Sequence, residues 1–109
     1  MRKAEIKMHD QIAGVLSQTE DGFSFAYTQD YLNTKTAEAV SLTLPLQKEA
    51  FSNMVMFPFF DGLIPEGWLL GIAEKNWKLN PRDRMGLLLA CCKDCIGAVS
   101  VIEIKEQQK

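Results

Sequence analysis

Apolar and polar residues alternate through the first quarter of the chain, which is the pattern of half-buried strands. Apolar side chains recur at every second position around residues 11–17 and again at 23–27, and a weaker alternation covers 5–8. The segment between the two clearer stretches ends in Asp21-Gly22, a pair that supplies the positive φ of a tight connection. The sequence therefore predicts a β-hairpin, preceded by a short first strand.

Alternation returns at two further places. Residues 41–44 alternate before Pro45 ends the stretch, and because proline cannot donate to a ladder we expect this strand to lie at a sheet edge. Residues 96–104 alternate and are rich in β-branched side chains, which predicts a returning strand. The polar tail at 105–109 has nothing to bury and is expected to fray.

Helical spacing replaces alternation in the middle of the chain. Apolar residues three and four positions apart predict a short helix over 48–57, which Pro58 interrupts. A proline suited to a first turn begins a second predicted helix over 65–78, and an asparagine followed by proline begins a third over 80–92. Strands, three helices and a returning strand predict an α+β fold: a small, mostly antiparallel sheet with about three helices packed on one side.

Composition places the chain among ordinary globular domains. It has 109 residues, 47% hydrophobic and 24% charged, and we expect a single domain over 1–109. A net charge of −2 disfavours direct nucleic-acid binding, which needs a clustered excess of basic residues. A signal peptide and an apolar stretch long enough to span a bilayer are both absent. We therefore expect a cytoplasmic protein that contacts neither nucleic acid nor membrane.

Residues that could carry catalysis or bind metal are few. Cys91, Cys92 and Cys95 are crowded together, but zinc needs about four ligands, and the cysteines follow a predicted helix instead of beginning one, where the helix dipole would lower a thiol pKa. The single histidine, His9, lacks a partner at useful spacing and is expected at the surface or at a strand end. Nucleotide-binding and kinase motifs are absent. We expect a binding protein without cofactor, metal or catalytic residues.

Aromatic residues and turn signals are mixed in segment 55–68. Phe57 and Phe60 are expected in the core, because most aromatic side chains are buried. Trp68 follows Gly67 in the first turn of the second predicted helix and falls outside its apolar face. An exposed tryptophan beside a glycine is typical of a binding hot spot, although partial burial of Trp68 remains an equal alternative.

Two separated motifs resemble the N-terminal subdomain of the HipA-type serine/threonine kinase toxins. They are Phe59-Phe60-Asp61-Gly62-Leu63-Ile64-Pro65-Glu66-Gly67 and Asp94-Cys95-Ile96-Gly97-Ala98-Val99. Tyr27, Tyr31 and the stretch 41–46 are also similar to that family, so the resemblance covers about residues 12–104. The chain departs from the family pattern at Cys92 or Lys93, where the family usually has glycine before the aspartate of the second motif.

The resemblance implies an antitoxin. The family's kinase core would begin after Ile104, so this chain is similar to the HipS-type small proteins of split systems, which act with a HipT-like kinase toxin and a HipB-like DNA-binding protein. We expect it to bind and neutralise such a kinase, with Trp68 inserted into or near the active site. The expected contact residues are Asp61, Gly62, Pro65, Glu66, Gly67, Trp68 and Leu69. Alternatives are a non-catalytic regulatory or folding subunit that activates the kinase, and a cysteine-based redox or metal protein.

Overall fold

Five strands and three short helices make up the part of the chain that the computed structural model describes, residues 2–64, 82–91 and 98–104. The strands are β1 Lys3–Met8, β2 Gln11–Thr19, β3 Gly22–Tyr27, β4 Phe51–Asn53 and β5 Val99–Ile104. The helices are α1 Gln29–Leu32, α2 Pro58–Asp61 and α3 Arg84–Cys91. The strands form one antiparallel sheet in the order β4-β3-β2-β1-β5. The α+β prediction is confirmed.

All three described helices lie on one face of the sheet. Tyr31 of α1 stacks on Tyr27 of β3 with ring centroids 6.1 Å apart, and Phe60 of α2 lies 5.4 Å from Phe25. The other face carries the half-buried alternate residues of the strands. The largest fully buried side chains are Phe25, Phe60, Ile6, Leu16, Met85, Leu87, Leu88 and Val101. Phe57 and Phe60 are 6% and 0% exposed, so both are in the core as expected.

Two tight hairpins set the register of the first three strands. His9 and Asp10 connect β1 to β2 with φ values of 51° and 69°, the signature of a turn that needs positive φ at both central residues. Glu20 and Asp21 connect β2 to β3, and Gly22 follows with φ +150°. The predicted hairpin is confirmed, with β2 extending to Thr19. His9 lies at the strand end, and its side chain is 65% exposed.

The strand predicted over 41–44 is wrong. These residues form a tight turn, in which the Leu44 N–H donates to the Ser41 carbonyl at 3.0 Å, with an isolated bridge in place of a ladder. The Tyr27 hydroxyl donates to the Leu44 carbonyl and accepts from the Val40 N–H at 3.0 Å. A buried side chain therefore satisfies the Leu44 carbonyl, which the predicted strand would have paired with a neighbouring strand, and the N–H of Val40 just before the turn.

The helix predicted over 48–57 is also wrong, because this part of the chain contains β4. Phe51 lies opposite Phe25 in the register, and their rings stack with centroids 6.4 Å apart. Pairing with β3 thus prevails over helical spacing, as local propensity commonly yields to tertiary contacts. Pro58 begins α2 instead of ending a helix, because its missing N–H would be unpaired in a first turn anyway.

The remaining predicted elements are present where the structure describes them. The third predicted helix appears as α3, but its predicted start at Asn80-Pro81 is wrong: Arg82 and Asp83 are not helical, and the Asp83 Oδ1 caps the first turn by accepting from the Gly86 N–H at 3.1 Å. The returning strand appears as β5. The helix predicted over 65–78 and the 105–109 tail lie outside the described residues. None of the helices in the described ranges is long and apolar enough to cross a membrane.

Candidate protein-binding site

One end of the sheet collects the structural features that bear on binding. Antiparallel register brings together Lys3 at the start of β1, Thr19 at the end of β2 and Gly22 at the start of β3. It also places there Asn53 at the end of β4 and Ile104 at the end of β5. This group of strand termini is named the basal end. Arg2, which precedes Lys3 there, is linked through Asp83 and its neighbour Arg84 to Asp61, the first predicted contact residue.

Asp61 and Gly62, the first two predicted contact residues, lie at the end of α2. The Asp61 carboxylate accepts a hydrogen bond from Arg84 Nε at 2.5 Å, and the two side chains are 42% and 35% exposed. A pair this exposed adds only about 0–1 kcal/mol to the free energy of unfolding. Its main effect is geometric, because it holds the last turn of α2 against the first turn of α3.

A second ion pair ties α3 to the sheet. The Arg2 guanidinium donates to both carboxylate oxygens of Asp83, at 3.0 and 2.6 Å, and its Nε donates to Gln18 at 2.9 Å. The hydrogen bonds from Arg2 lower the pKa of the Asp83 carboxyl and raise that of Arg2 itself. Adjacent residues Asp83 and Arg84 therefore hold β1 and α2 respectively, and the entry to the predicted contact segment has a fixed position.

Two exposed apolar side chains, Met54 and Val55, lie at the same end of the sheet. They are 83% and 66% exposed, whereas Met56 and Phe57, which follow them directly, are 5% and 6% exposed. Sequence reasoning missed this pair, because the incorrect helix placed both residues on a buried stripe. The available signal was the run of four large apolar residues at 54–57, which neither one helix face nor one strand face can bury completely.

The structure describes Asp61 and Gly62 at the end of α2, and the other predicted contact residues lie outside the described ranges. Those residues are Pro65, Glu66, Gly67, Trp68 and Leu69.

The residues considered for catalysis or metal binding do not assemble in the described ranges. Cys91 is the last residue of α3, and Cys92 and Cys95 lie outside the description. His9 Nε2 lies 3.5 Å from a Glu38 carboxylate oxygen, with both side chains largely exposed, at the end of the sheet opposite the basal end. Within residues 2–64, 82–91 and 98–104, no group of three or more His, Cys, Asp and Glu could hold a metal ion.

Comparison with known proteins gives consistent matches over nearly the whole chain. The family model of the HipA N-terminal domain matches residues 4–102. A solved structure described as the N-terminal domain of HipA toxin superposes with a TM-score of 0.76 and 26% sequence identity, over 98% of this chain and 96% of that one. Fold and sequence similarity therefore point to the same family.

Three relatives differ in how much of their length is matched. A Haemophilus influenzae protein is 28% identical over 106 residues, which are 97% of this chain and 96% of that protein. Two Sinorhizobium fredii proteins, named putative kinases Y4mE and Y4dM, are 29% and 28% identical over 84% and 89% of this chain. The chain spans only 22% and 25% of the length of those two proteins.

Proposed function

Since the chain belongs to the HipA N-terminal domain family, we propose that it is an antitoxin that binds and neutralises a HipT-like serine/threonine kinase toxin by direct contact. The observation that carries the proposal is the extent of the family matches. The same domain makes up about a quarter of two putative kinases and nearly all of the Haemophilus influenzae protein. Interfaces between domains of one chain resemble those between separate proteins, so the contact can persist when domain and kinase are separate chains.

Inhibition by contact also agrees with the chemistry of the chain. The sequence carries no nucleotide-binding or kinase motif, and the described residues contain no cluster suited to a metal ion. We propose that the protein acts by occupying a surface of the kinase and is not itself an enzyme. A HipB-like DNA-binding protein would supply DNA contact in a ternary complex, because a net charge of −2 suits this chain poorly to that role.

Trp68 is the proposed inhibitory residue. In this proposal the segment from Asp61 to Leu69 contacts the kinase and inserts Trp68 into or near the active site. The hydrogen bond between Asp61 and Arg84 supports it, because a segment that starts from a fixed position loses less conformational entropy on binding. Truncating a tryptophan hot spot costs at least about 2 kcal/mol of binding, a loss of about thirtyfold in affinity.

One observation favours a second candidate function. In the putative kinases Y4mE and Y4dM, a homologous region is part of the kinase chain itself. A domain that coexists with kinase activity in one chain could complete or activate a separate kinase. The alternative proposal is therefore a non-catalytic regulatory or folding subunit, which binds the same partner with the opposite effect.

Growth of cells that express a HipT-like kinase separates the two candidates. We expect growth to be restored by the wild-type chain and by the control variant Leu42→Ala, whose side chain is fully exposed in the turn bonded to Tyr27, at the end of β3 opposite the basal end. Folded Trp68→Ala should fail to restore growth. Failure of the wild type, or stronger toxicity in its presence, would favour the activating subunit. Full rescue by Trp68→Ala would leave the antitoxin role in place and contradict the role of Trp68.

A further inference from the structure

We propose that Met54 and Val55, together with the Glu20-Asp21 turn, form a second docking surface for the kinase, separate from Trp68. This set of four residues is named the basal patch. The inference rests on the proposed function and deepens it by assigning part of the interface. Its partner is the body of the same kinase, at an apolar recess with basic residues beside it.

Exposure is the first argument for the basal patch. Met54 and Val55 are adjacent large apolar side chains, 83% and 66% exposed, in the connection between β4 and α2. Single exposed apolar residues are common on protein surfaces. Two adjacent ones, beside an exposed acidic turn, match the composition of a small interface with an apolar centre and a charged rim.

Preorganisation is the second argument. Gly22 has φ +150°, and a Cβ atom built on it would lie 2.3 Å from the Asn53 carbonyl oxygen and 2.7 Å from Met54 Cα. The β2–β3 turn therefore rests directly against the backbone that carries Met54. On the other side, buried Phe57 anchors the segment through a ring contact with Phe60 at 6.1 Å. A surface held at both ends pays little ordering entropy on binding.

Chain continuity identifies the occupant. The family is an N-terminal domain, and in Y4mE and Y4dM about three quarters of the protein lies outside the match. The rest of such a kinase therefore follows the last strand of the domain. β5 ends at Ile104, which pairs with Lys3 at the basal end. The kinase body of a single-chain relative thus departs from the same end of the sheet that presents Met54 and Val55.

The acidic side chains of the basal patch indicate the charge of the partner surface that would bind there. Glu20 and Asp21 are both exposed in the turn that packs against Met54. A complementary partner surface would carry lysine or arginine near its apolar recess, and such charges raise the association rate more than the affinity. We therefore expect the affinity of the chain for the kinase to decrease moderately as ionic strength rises.

Titration calorimetry of the purified chain with a purified HipT-like kinase tests the basal patch. We expect the double variant Met54→Ser/Val55→Ser to bind at least tenfold more weakly than the wild type. The matched control Leu42→Ser, which also removes an exposed apolar side chain, should stay within twofold. Circular dichroism and the thermal midpoint establish that each variant is folded. If the double variant is not folded, the milder variant Met54→Gln replaces it, with an expected threefold loss of affinity for the kinase.

The outcomes separate this inference from the proposed function. Absence of binding by the wild type would overturn the proposed function, and the basal patch with it. Wild-type binding combined with unchanged affinity of the folded variants would overturn the basal patch alone. Sedimentation analysis of the free chain adds one more outcome: a dimer that the double variant dissociates, with kinase affinity unchanged, would assign the patch to a second copy and overturn the inference.

Discussion

Replacing Gly22 by alanine tests the physical account of the basal end most sharply. At φ +150° the backbone is in a region that L-residues rarely adopt, which costs of order 1–3 kcal/mol. The new Cβ would also meet backbone atoms of Asn53 and Met54 at 2.3 and 2.7 Å. Backbone atoms cannot move aside by a rotamer change, so the overpacking adds about 1–3 kcal/mol. Alanine also lowers the conformational entropy of the unfolded chain, which offsets about 0.4–1 kcal/mol of this loss in the free energy of unfolding.

The net expectation for Gly22→Ala is a loss of about 3 kcal/mol in the free energy of unfolding, from a total of about 5–16 kcal/mol for a domain of this size. With a urea slope of about 1–3 kcal/mol per molar, the unfolding midpoint should fall by about 1–3 M. Tryptophan fluorescence and circular dichroism in a urea titration measure it.

Gly62 provides the matched control for this substitution. Its φ is −70°, and a Cβ there would lie 3.3 Å from the Pro58 carbonyl oxygen and 3.5 Å from that of Phe59. The entropic gain and the tight contact are similar in size, so Gly62→Ala should stay within about 1 kcal/mol of the wild type. A Gly22→Ala midpoint equal to that of Gly62→Ala would refute the close-approach argument.

Four further substitutions, at three places in the structure, test other parts of the fold. Because the pKa of the Asp83 carboxyl is lowered in the folded chain, Asp83 contributes stability above pH 3.8, its ordinary pKa, and this stability is lost as the pH falls through the lowered pKa. Asp83→Asn should therefore show a smaller drop in stability on acidification than the wild type. His9 and Asp10 both have positive φ, which asparagine and glycine adopt more readily, so the double variant His9→Asn/Asp10→Gly should raise the free energy of unfolding by about 1 kcal/mol. A lower midpoint in thermal unfolding would contradict the turn assignment. Tyr27→Phe leaves two backbone groups of the following loop without their partner and should cost about 1–3 kcal/mol, with faster amide exchange there; unchanged exchange would show that the hydroxyl does not hold the loop.

The sequence predicted the elements whose determinants are local. Alternation and the turn signal lie within one hairpin, and β2 and β3 confirm the hairpin, with Glu20 and Asp21 as its connection and Gly22 as the first residue of β3. Burial of Phe57 and Phe60 also followed from residue type alone. The errors at 41–44 and 48–57 have long-range causes. The Tyr27 hydroxyl donates a hydrogen bond to the Leu44 carbonyl in the first segment, and Phe25 pairs with Phe51 in the second. Neither contact is visible in a local window of sequence.

The sequence pointed to some residues of the candidate site and not to others for the same reason. Asp61 and Gly62 belong to a family motif, and Arg84 fixes Asp61 at the end of α2, but their contact with a kinase stays a prediction. Met54 and Val55 were missed, because their exposure depends on β4 pairing and not on local spacing. Antiparallel register, which only the fold reveals, brings the end of β4, directly before Met54, to the same end of the sheet as the Glu20-Asp21 turn.

Kinase activity measured as the purified chain is added tests the central claim most directly. The account predicts that phosphorylation by a HipT-like kinase falls saturably as the wild-type chain is titrated in, and that Trp68→Ala needs a concentration about thirtyfold higher for the same effect. A phosphorylation rate that stays constant, or that rises with added chain, would contradict neutralisation by direct contact.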